Sequence, residues 1–395
     1  SFIQGGSDFI VGLDWKNDSQ FATCGVRHFR EWTLKSGSLD SKRGRFSRGK
    51  CSDMIVTCKY FKNTCVSGTL KGEVVCWNGA SISKIIKGKH KGPVDAIHWT
   101  EDYVFTGGRD GNIAILDSKF KVTKTLSITN FDSICPGVNA FWYDGNTLLI
   151  GTRGSELFEV DFSMRSSSIK VKHEITKGHY SPLKKDNNEV WGLAVFPRKD
   201  LYVSVSDDAT LRVWNLADRR LEELVKLNYD ENGKEMPLDP KTKELSHAVQ
   251  GRSIDISPNG KLAAVGFRDG SFRLYNTNGW KLNKIFKHRK EWIQDLKFSP
   301  TGEYLAVGSH ENTVDVYNLA NMKKFTFSGH TSYITHLDWS EKGDALHSTC
   351  GSYELLYWDM DLKKQDTKGA SNYKDEEWAT WTTVLGWPVQ GIWEP

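Results

Sequence analysis

Apolar and polar residues alternate along most of this chain, in short runs that stop at turn residues. One stretch reads Val190-Trp191-Gly192-Leu193-Ala194-Val195, then Leu201 to Asp208, then Thr210-Leu211-Arg212-Val213-Trp214-Asn215. Another reads Ile334 to Trp339, Ala345 to Ser352 and Glu354 to Asp359. Alternation with a period of two marks half-buried strands, so each stretch predicts three short strands, with a fourth before the next stretch begins. A Gly-His pair precedes both, as Gly178-His179 and Gly329-His330. Asp144-Gly145, Asn259-Gly260, Thr301-Gly302 and Lys342-Gly343 supply tight turns between first and second strands. Segments with the helical period are nearly absent.

Six further segments fit this template and close near Trp32, Trp77, Leu116, Val160, Tyr275 and Tyr317. With Trp214 and Trp358, the closing positions fall roughly 40–60 residues apart, bracketing the WD-repeat period. The longest interval holds a polar insertion, Asn228 to Ser246, with Gly233, Pro237 and Pro240, which reads as a surface loop. A four-stranded unit of this size cannot cover both of its faces, so units must stack radially to bury them. The expected fold is all-β: a WD-repeat β-propeller of about eight four-stranded blades, or parts of two tandem propellers. On the second reading, residues 1–79 are two blades closing a preceding propeller. Residues 80–395 are then a propeller with the insertion at 228–246, incomplete at its C-terminal end. Alternatively, eight units close one ring.

Composition narrows the function. The 15 Trp, 13 Tyr and 19 Phe favour strands and large buried faces. A net charge of +4 is spread over the chain in short clusters such as Lys42-Arg43-Gly44-Arg45, without the concentrated basic stripe of a nucleic-acid binder. The seven Cys form no C-x-x-C pair, and several sit inside apolar runs, as in Val75-Cys76-Trp77. They read as reduced core thiols of a reducing compartment. No apolar run approaches the 18 or so residues of a membrane span. Ser1 to Gly6 lack a signal pattern, and the start at Ser reads as a fragment of a longer chain.

Polar residues recur inside the repeats in a fixed order. His179, Ser204, Asp208 and Trp214 form one set, His90, Thr106 and Asp110 a second, and His330, Ser348 and Trp358 a third. In the second, Leu116 stands where Trp would donate; in the third, Ser352 stands where Asp is expected. A His–Ser–Asp set invites a hydrolase reading. Recurrence in each repeat instead predicts a structural hydrogen-bond network, because an active site is built once. There is no G-x-x-x-x-G-K-[ST], no G-x-G-x-x-G after a strand and no H-E-x-x-H. The histidines show no zinc spacing, and Asp375-Glu376-Glu377 reads as a solvated surface. The expectation is a protein without catalytic residues, metal or cofactor.

The C-terminal stretch resembles the echinoderm microtubule-associated protein-like (EMAP-like) family. The residues that carry this are Gly329-His330-Thr331-Ser332-Tyr333-Ile334-Thr335-His336-Leu337-Asp338-Trp339-Ser340 and Tyr353 to Asp359. Glu377-Trp378-Ala379-Thr380, Leu385-Gly386 and Gly391-Ile392-Trp393-Glu394-Pro395 follow in the family's order. Looser matches are Ser36 to Leu39, Glu189 to Ala194 and Leu305 to His310, whereas the insertion and Lys184-Lys185 look particular to this chain. The resemblance implies a tandem pair of propellers engaging tubulin or microtubules and other cytoskeletal proteins. It also implies placement in the cytoplasm on the cytoskeleton, including spindle or cilium. Nucleic acid and membrane are not expected partners.

Propeller rims present loops on a rigid scaffold, and loops carry function. The position just before the first strand holds Trp292 and Tyr333 in consecutive repeats, and Arg109, Arg268 and His310 crown the same rim. Trp, Tyr and Arg dominate interface energetics, and basic side chains suit an acidic partner surface. These five residues are the candidate partner-binding rim. Two other functions fit the same fold: a general WD-repeat adaptor for signalling or ubiquitin-ligase complexes, and an axonemal structural component.

Overall fold

The computed structural model describes residues 9–46, 54–166, 169–183 and 188–383. Cys51, Lys184-Lys185, Ser1 to Gly6 and the motifs from Leu385 onward lie outside the described residues. Among those described are eight four-stranded antiparallel sheets, each a meander in chain order. They cover residues 10–43, 55–86, 94–127, 138–177, 190–226, 251–286, 293–328 and 334–365. Every closing residue named above lies in the third strand of its sheet, from Trp32 in His28–Lys35 to Trp358 in Leu355–Asp359. The chain is a WD-repeat β-propeller protein, with eight blades among the described residues. It divides between Tyr180 and Ser181 into two compact units of four sheets each.

Within each unit the core lies between sheets. Val205, Leu211 and Val213 of the fifth sheet pack with Ile254, Val265 and Phe267 of the sixth. Ala306, Val314 and Val316 of the seventh pack with Ile334, Leu337 and Leu346 of the eighth. Two devices lock neighbours together. The first is a glycine opposite a β-branched residue. A Cβ on Gly308 would lie 2.6 Å from Ile334 Cγ2, and one on Gly266 would lie 2.6 Å from Ile293 Cγ2. Between the fifth and sixth sheets the roles are exchanged, with Val205 pressed onto Gly251. Only a missing side chain permits such close approach.

The second device concerns the innermost strand, whose inner edge has no neighbouring strand within its own sheet. Its N–H groups need another acceptor. A carboxylate from the preceding sheet supplies it: Asp14 accepts from Tyr60 N (2.7 Å), Asp255 from Phe298 N (2.7 Å) and Asp295 from Leu337 N (2.9 Å). Asp338 of the eighth sheet does the same for Thr380 N at 3.1 Å. Ala379 N also donates to Trp339 O, so Trp378-Ala379-Thr380 occupies the place of a following innermost strand. Trp378 is buried there, with the His347 ring stacked on it at 3.6 Å.

The insertion at 228–246 is tied to its surroundings. Leu245 and Met236 pack with Ala209 and Val249. The buried Arg273 guanidinium donates to Leu227 O and Ala248 O, and Glu231 accepts from Ile285 N. Of the cysteines, Cys24, Cys58, Cys65, Cys76 and Cys350 are buried free thiols, and Cys135 is half-buried.

Burial pushes the Asp255 carboxyl up from its ordinary value of 3.8 to about 6, with the Lys297 cation only partly opposing. A raised folded-state value means that the fold favours the neutral acid. The contribution is complete below pH 4 and is lost as pH rises through 6. Asp255→Asn is neutral throughout and keeps an acceptor for Phe298 N. Relative to wild type, its unfolding free energy should rise by on the order of 2 kcal/mol between pH 4 and pH 7, allowing for partial exposure. Urea titrations at the two pH values measure this; a constant difference contradicts it.

Candidate functional site

In all eight sheets the innermost strand carries a one-residue bulge immediately after its first residue. A bulge leaves the extra residue out of the ladder and re-aims its side chain. In the third sheet this residue is Asp95, and in the fifth to eighth sheets it is Trp191, Arg252, Gln294 and Thr335. At the same edge, the residue after the second strand donates its N–H to the carbonyl of the residue before the first. The pairs are Arg109 with Pro93, Asp207 with Glu189, Arg268 with Gln250, His310 with Trp292 and Gly351 with Tyr333. Each of these sheets therefore directs three positions to one edge.

In the second unit these positions form a continuous ladder. The Arg252 guanidinium lies 4.3 Å over the Trp191 ring and 4.6 Å over the Trp292 ring. Arg268 lies 4.6 Å over Trp292 as well. His310 stacks on Trp292 with centroids 5.0 Å apart, and Tyr333 meets His310 at 4.6 Å. Gly351 is what lets the Tyr333 ring lie flat at the eighth sheet, since a Cβ there would stand 2.5 Å from the ring. Trp191 and Tyr333, at the two ends, are 41% and 44% exposed, whereas Arg252 is buried.

Charge in the ladder is unevenly balanced. Arg252 is paired with buried Asp207 at 2.9 Å. Burial lowers the Arg252 pKa, with Asp207 opposing and Arg268 adding to the lowering. Arg268 donates to Gln250 at 3.1 Å, and among the described residues no carboxylate pairs with it. Burial also lowers the His310 pKa below its ordinary value, and Gln294 holds one ring nitrogen at 3.1 Å. Each guanidinium–indole contact contributes about 0.5–2 kcal/mol and fixes a side chain that would otherwise move.

Four of the five candidate rim residues, Trp292, Tyr333, Arg268 and His310, thus come together. Arg109 belongs to the first unit, where its guanidinium grips Asp95 with bonds of 2.5 and 3.3 Å. Sequence reading missed Trp191, Arg252 and Asp207. The signal was present in Val190-Trp191-Gly192, but the bulge that turns Trp191 and Arg252 outward has no sequence signature of its own.

The repeated polar sets are hydrogen-bonded inside the sheets. Trp214 Nε1 donates to Ser204 Oγ at 2.8 Å, and Asp208 accepts from Thr210 and faces buried Arg212. His179 is buried in the first unit. His90 Nε2 meets Thr106 Oγ1 at 2.9 Å, and its Nδ1 stands 3.7 Å from Asp110. Ser348 Oγ takes both His330 Nε2 and Trp358 Nε1, each at 2.7 Å. Exposed Ser352 stands apart, and Glu354 brings the carboxylate to His330. A further set that the sequence reading passed over joins His28, Thr23 and Trp32, with Thr23 Oγ1 2.7 Å from His28 and 2.8 Å from the indole. In the sets centred on Thr23, Ser204 and Ser348 the hydroxyl accepts from an indole N–H; in the Thr106 set Leu116 leaves no such donor.

These blades, bulged edges and His–hydroxyl–indole sets define a WD-repeat propeller that presents an arginine–aromatic rim. Residues 190–395 match the family model for the echinoderm microtubule-associated protein second beta-propeller, and the chain belongs to that family. It is 32% identical to the ciliary WD repeat-containing protein ctxp80 of Euplotoides octocarinatus, over 98% of this chain and 53% of that protein. It is 29% identical to human echinoderm microtubule-associated protein-like 2, over 94% of this chain and 53% of that protein. Identity to the 77 kDa echinoderm microtubule-associated protein of Lytechinus variegatus is 27%, over 95% of this chain and 53% of that protein. The chain spans about half the length of these relatives.

Ser348→Ala removes the shared partner of two buried groups. It should cost about 2–4 kcal/mol, because each orphaned donor or acceptor forfeits 1–3. Thr106→Val, which strips His90 and a longer bond to Ala114 O but orphans no indole, should cost less. Equal losses in denaturant titrations contradict the shared-hydroxyl account.

Proposed function

We propose that this chain is the propeller region of a microtubule-associated protein and engages tubulin through the arginine–aromatic rim of its second unit. The observation that carries this is the ladder from Trp191 to Tyr333. It offers exposed aromatic ends, an interior pre-ordered by cation–π contacts, and a guanidinium at Arg268 that no carboxylate among the described residues pairs. Preordered aromatic and Arg side chains bind with little entropy loss, and a cation steers an acidic partner such as tubulin. The family, and relatives named for microtubules, support the choice of partner. The role is that of a scaffold rather than an enzyme, because the His–hydroxyl pairs that resemble catalytic groups recur in separate sheets, at Thr23, Thr106 and Ser348, and are buried there.

The relative from Euplotoides octocarinatus is named a ciliary protein, which favours axonemal placement as a second reading. A lattice component would stay on isolated axonemes through salt extraction, whereas a dynamic cytoplasmic binder would wash off. A general adaptor for signalling complexes would use the same rim for a peptide and would fail to retain purified tubulin.

Arg268→Glu should weaken cosedimentation with microtubules about 5–10-fold, equivalent to roughly 1–1.4 kcal/mol. Arg109→Glu should have a smaller effect, since Asp95 already balances that charge. Unchanged binding by Arg268→Glu retires the proposed rim.

A further inference from the structure

Three different ligand types converge at one corner of the eighth sheet. His330 Nδ1, Cys350 Sγ and a Glu354 carboxylate oxygen all lie within 4.8 Å of one another. His330 Nδ1 stands 3.5 Å from Glu354 Oε2, and Cys350 Sγ stands 3.1 Å from the same oxygen. Zinc bonds of about 2.0–2.2 Å to N and O and 2.3 Å to S place tetrahedral ligands roughly 3.3–3.7 Å apart. Two of the three separations, those to Glu354 Oε2, are therefore close to zinc dimensions. His330 and Cys350 are buried, and the buried Nδ1 makes no hydrogen bond. Glu354 is partly exposed and forms the entrance.

Supporting groups already orient the ligands. Ser348 holds His330 through Nε2 at 2.7 Å, which leaves Nδ1 to face the corner. Thr331 holds Glu354 with its N–H and its hydroxyl, both at 2.8 Å. Such outer contacts fix tautomer and orientation at metal sites.

The other blades show what is particular here. In the third sheet the same corner has His90 and Asp110, but Gly108 stands at the position of Cys350 and offers no ligand. In the second and fourth sheets that position is a threonine, and Thr69 and Thr152 donate to Glu73 and Glu156. Among the described residues, only the eighth sheet combines imidazole, thiol and carboxylate.

We propose that His330, Cys350 and Glu354 bind a thiophilic divalent cation of the Zn²⁺ type, with water in the fourth position. Binding replaces the Cys350 thiol proton by a sulfur–metal bond and releases that proton to solvent; nothing is oxidised or reduced. His330 carries its remaining proton on Nε2, donated to Ser348, and binds through Nδ1. His330 lies ahead of the first strand, Cys350 ends the second and Glu354 immediately precedes the third, so an ion there would staple the rim of the eighth sheet.

Co²⁺ is the probe, because a cobalt–thiolate bond absorbs in the near ultraviolet. The wild-type chain should show this band at one equivalent, release one proton per ion, and lose the band on adding Zn²⁺. Cys350→Thr installs the hydroxyl that the second and fourth sheets use, so it should fold normally and lack the band. Zn²⁺ should raise the melting temperature of wild type and leave this variant unmoved. Glu354→Gln keeps the acceptor oxygen for Thr331 and should weaken Co²⁺ binding at least tenfold. The proposal is overturned by absence of the band in wild type, by an equal band in Cys350→Thr, or by unchanged Co²⁺ affinity in Glu354→Gln. None of these readouts involves tubulin.

Discussion

Each sheet of this protein ends, on its inner side, at a strand with unpaired backbone N–H groups, and the rest of the organisation follows from how they are satisfied. Asp14, Asp255, Asp295 and Asp338 reach across to the next chain segment and accept its N–H. A β-branched residue then presses onto a glycine of its neighbour, as at Gly308 and Ile334. Neither contact exists within one sheet. An isolated blade would expose a bare edge and an open apolar face, so stability is a property of adjacent pairs.

The same geometry creates the interaction surface. In all eight sheets the innermost strand expels an extra residue at the edge as a bulge. Whatever stands there is aimed at the rim. Placing Trp191, Arg252 and Gln294 at three successive bulges, with Arg268 and His310 at the adjoining turn, builds a stack from side chains in three sheets. Tyr333 extends it to a fourth. Its rigidity comes from the scaffold beneath it and from the cation–π contacts within it, and replacing its exposed ends, Trp191 and Tyr333, would alter recognition with little effect on the blades.

Blade number, strand positions and the closing residues were legible because alternation with a period of two is enforced by burial on both faces of every sheet. The His–hydroxyl–Trp sets were legible because their spacing repeats. Glu354 was not, since Ser352 occupies the expected position and the carboxylate arrives from two residues later, across a turn whose path the sequence does not specify. Trp191 and Arg252 were hidden for a related reason: a bulge depends on pairing with the second strand, and alternation alone would point Arg252 elsewhere. Nor can repeats locate the end of one ring, because the alternation that marks a strand is the same in every repeat.

Native-state hydrogen exchange at the Leu337 amide tests the coupling between sheets most directly. With the Asp295 carboxylate as its acceptor, this proton should exchange only on global unfolding. Asp295→Ala should speed its exchange about 10-fold or more beyond any change in global stability, since the lost bond to a charged acceptor amounts to about 1.5–3 kcal/mol. Fast exchange in the wild-type protein, or an unaltered rate in the variant, would contradict the dependence of the eighth sheet on the seventh.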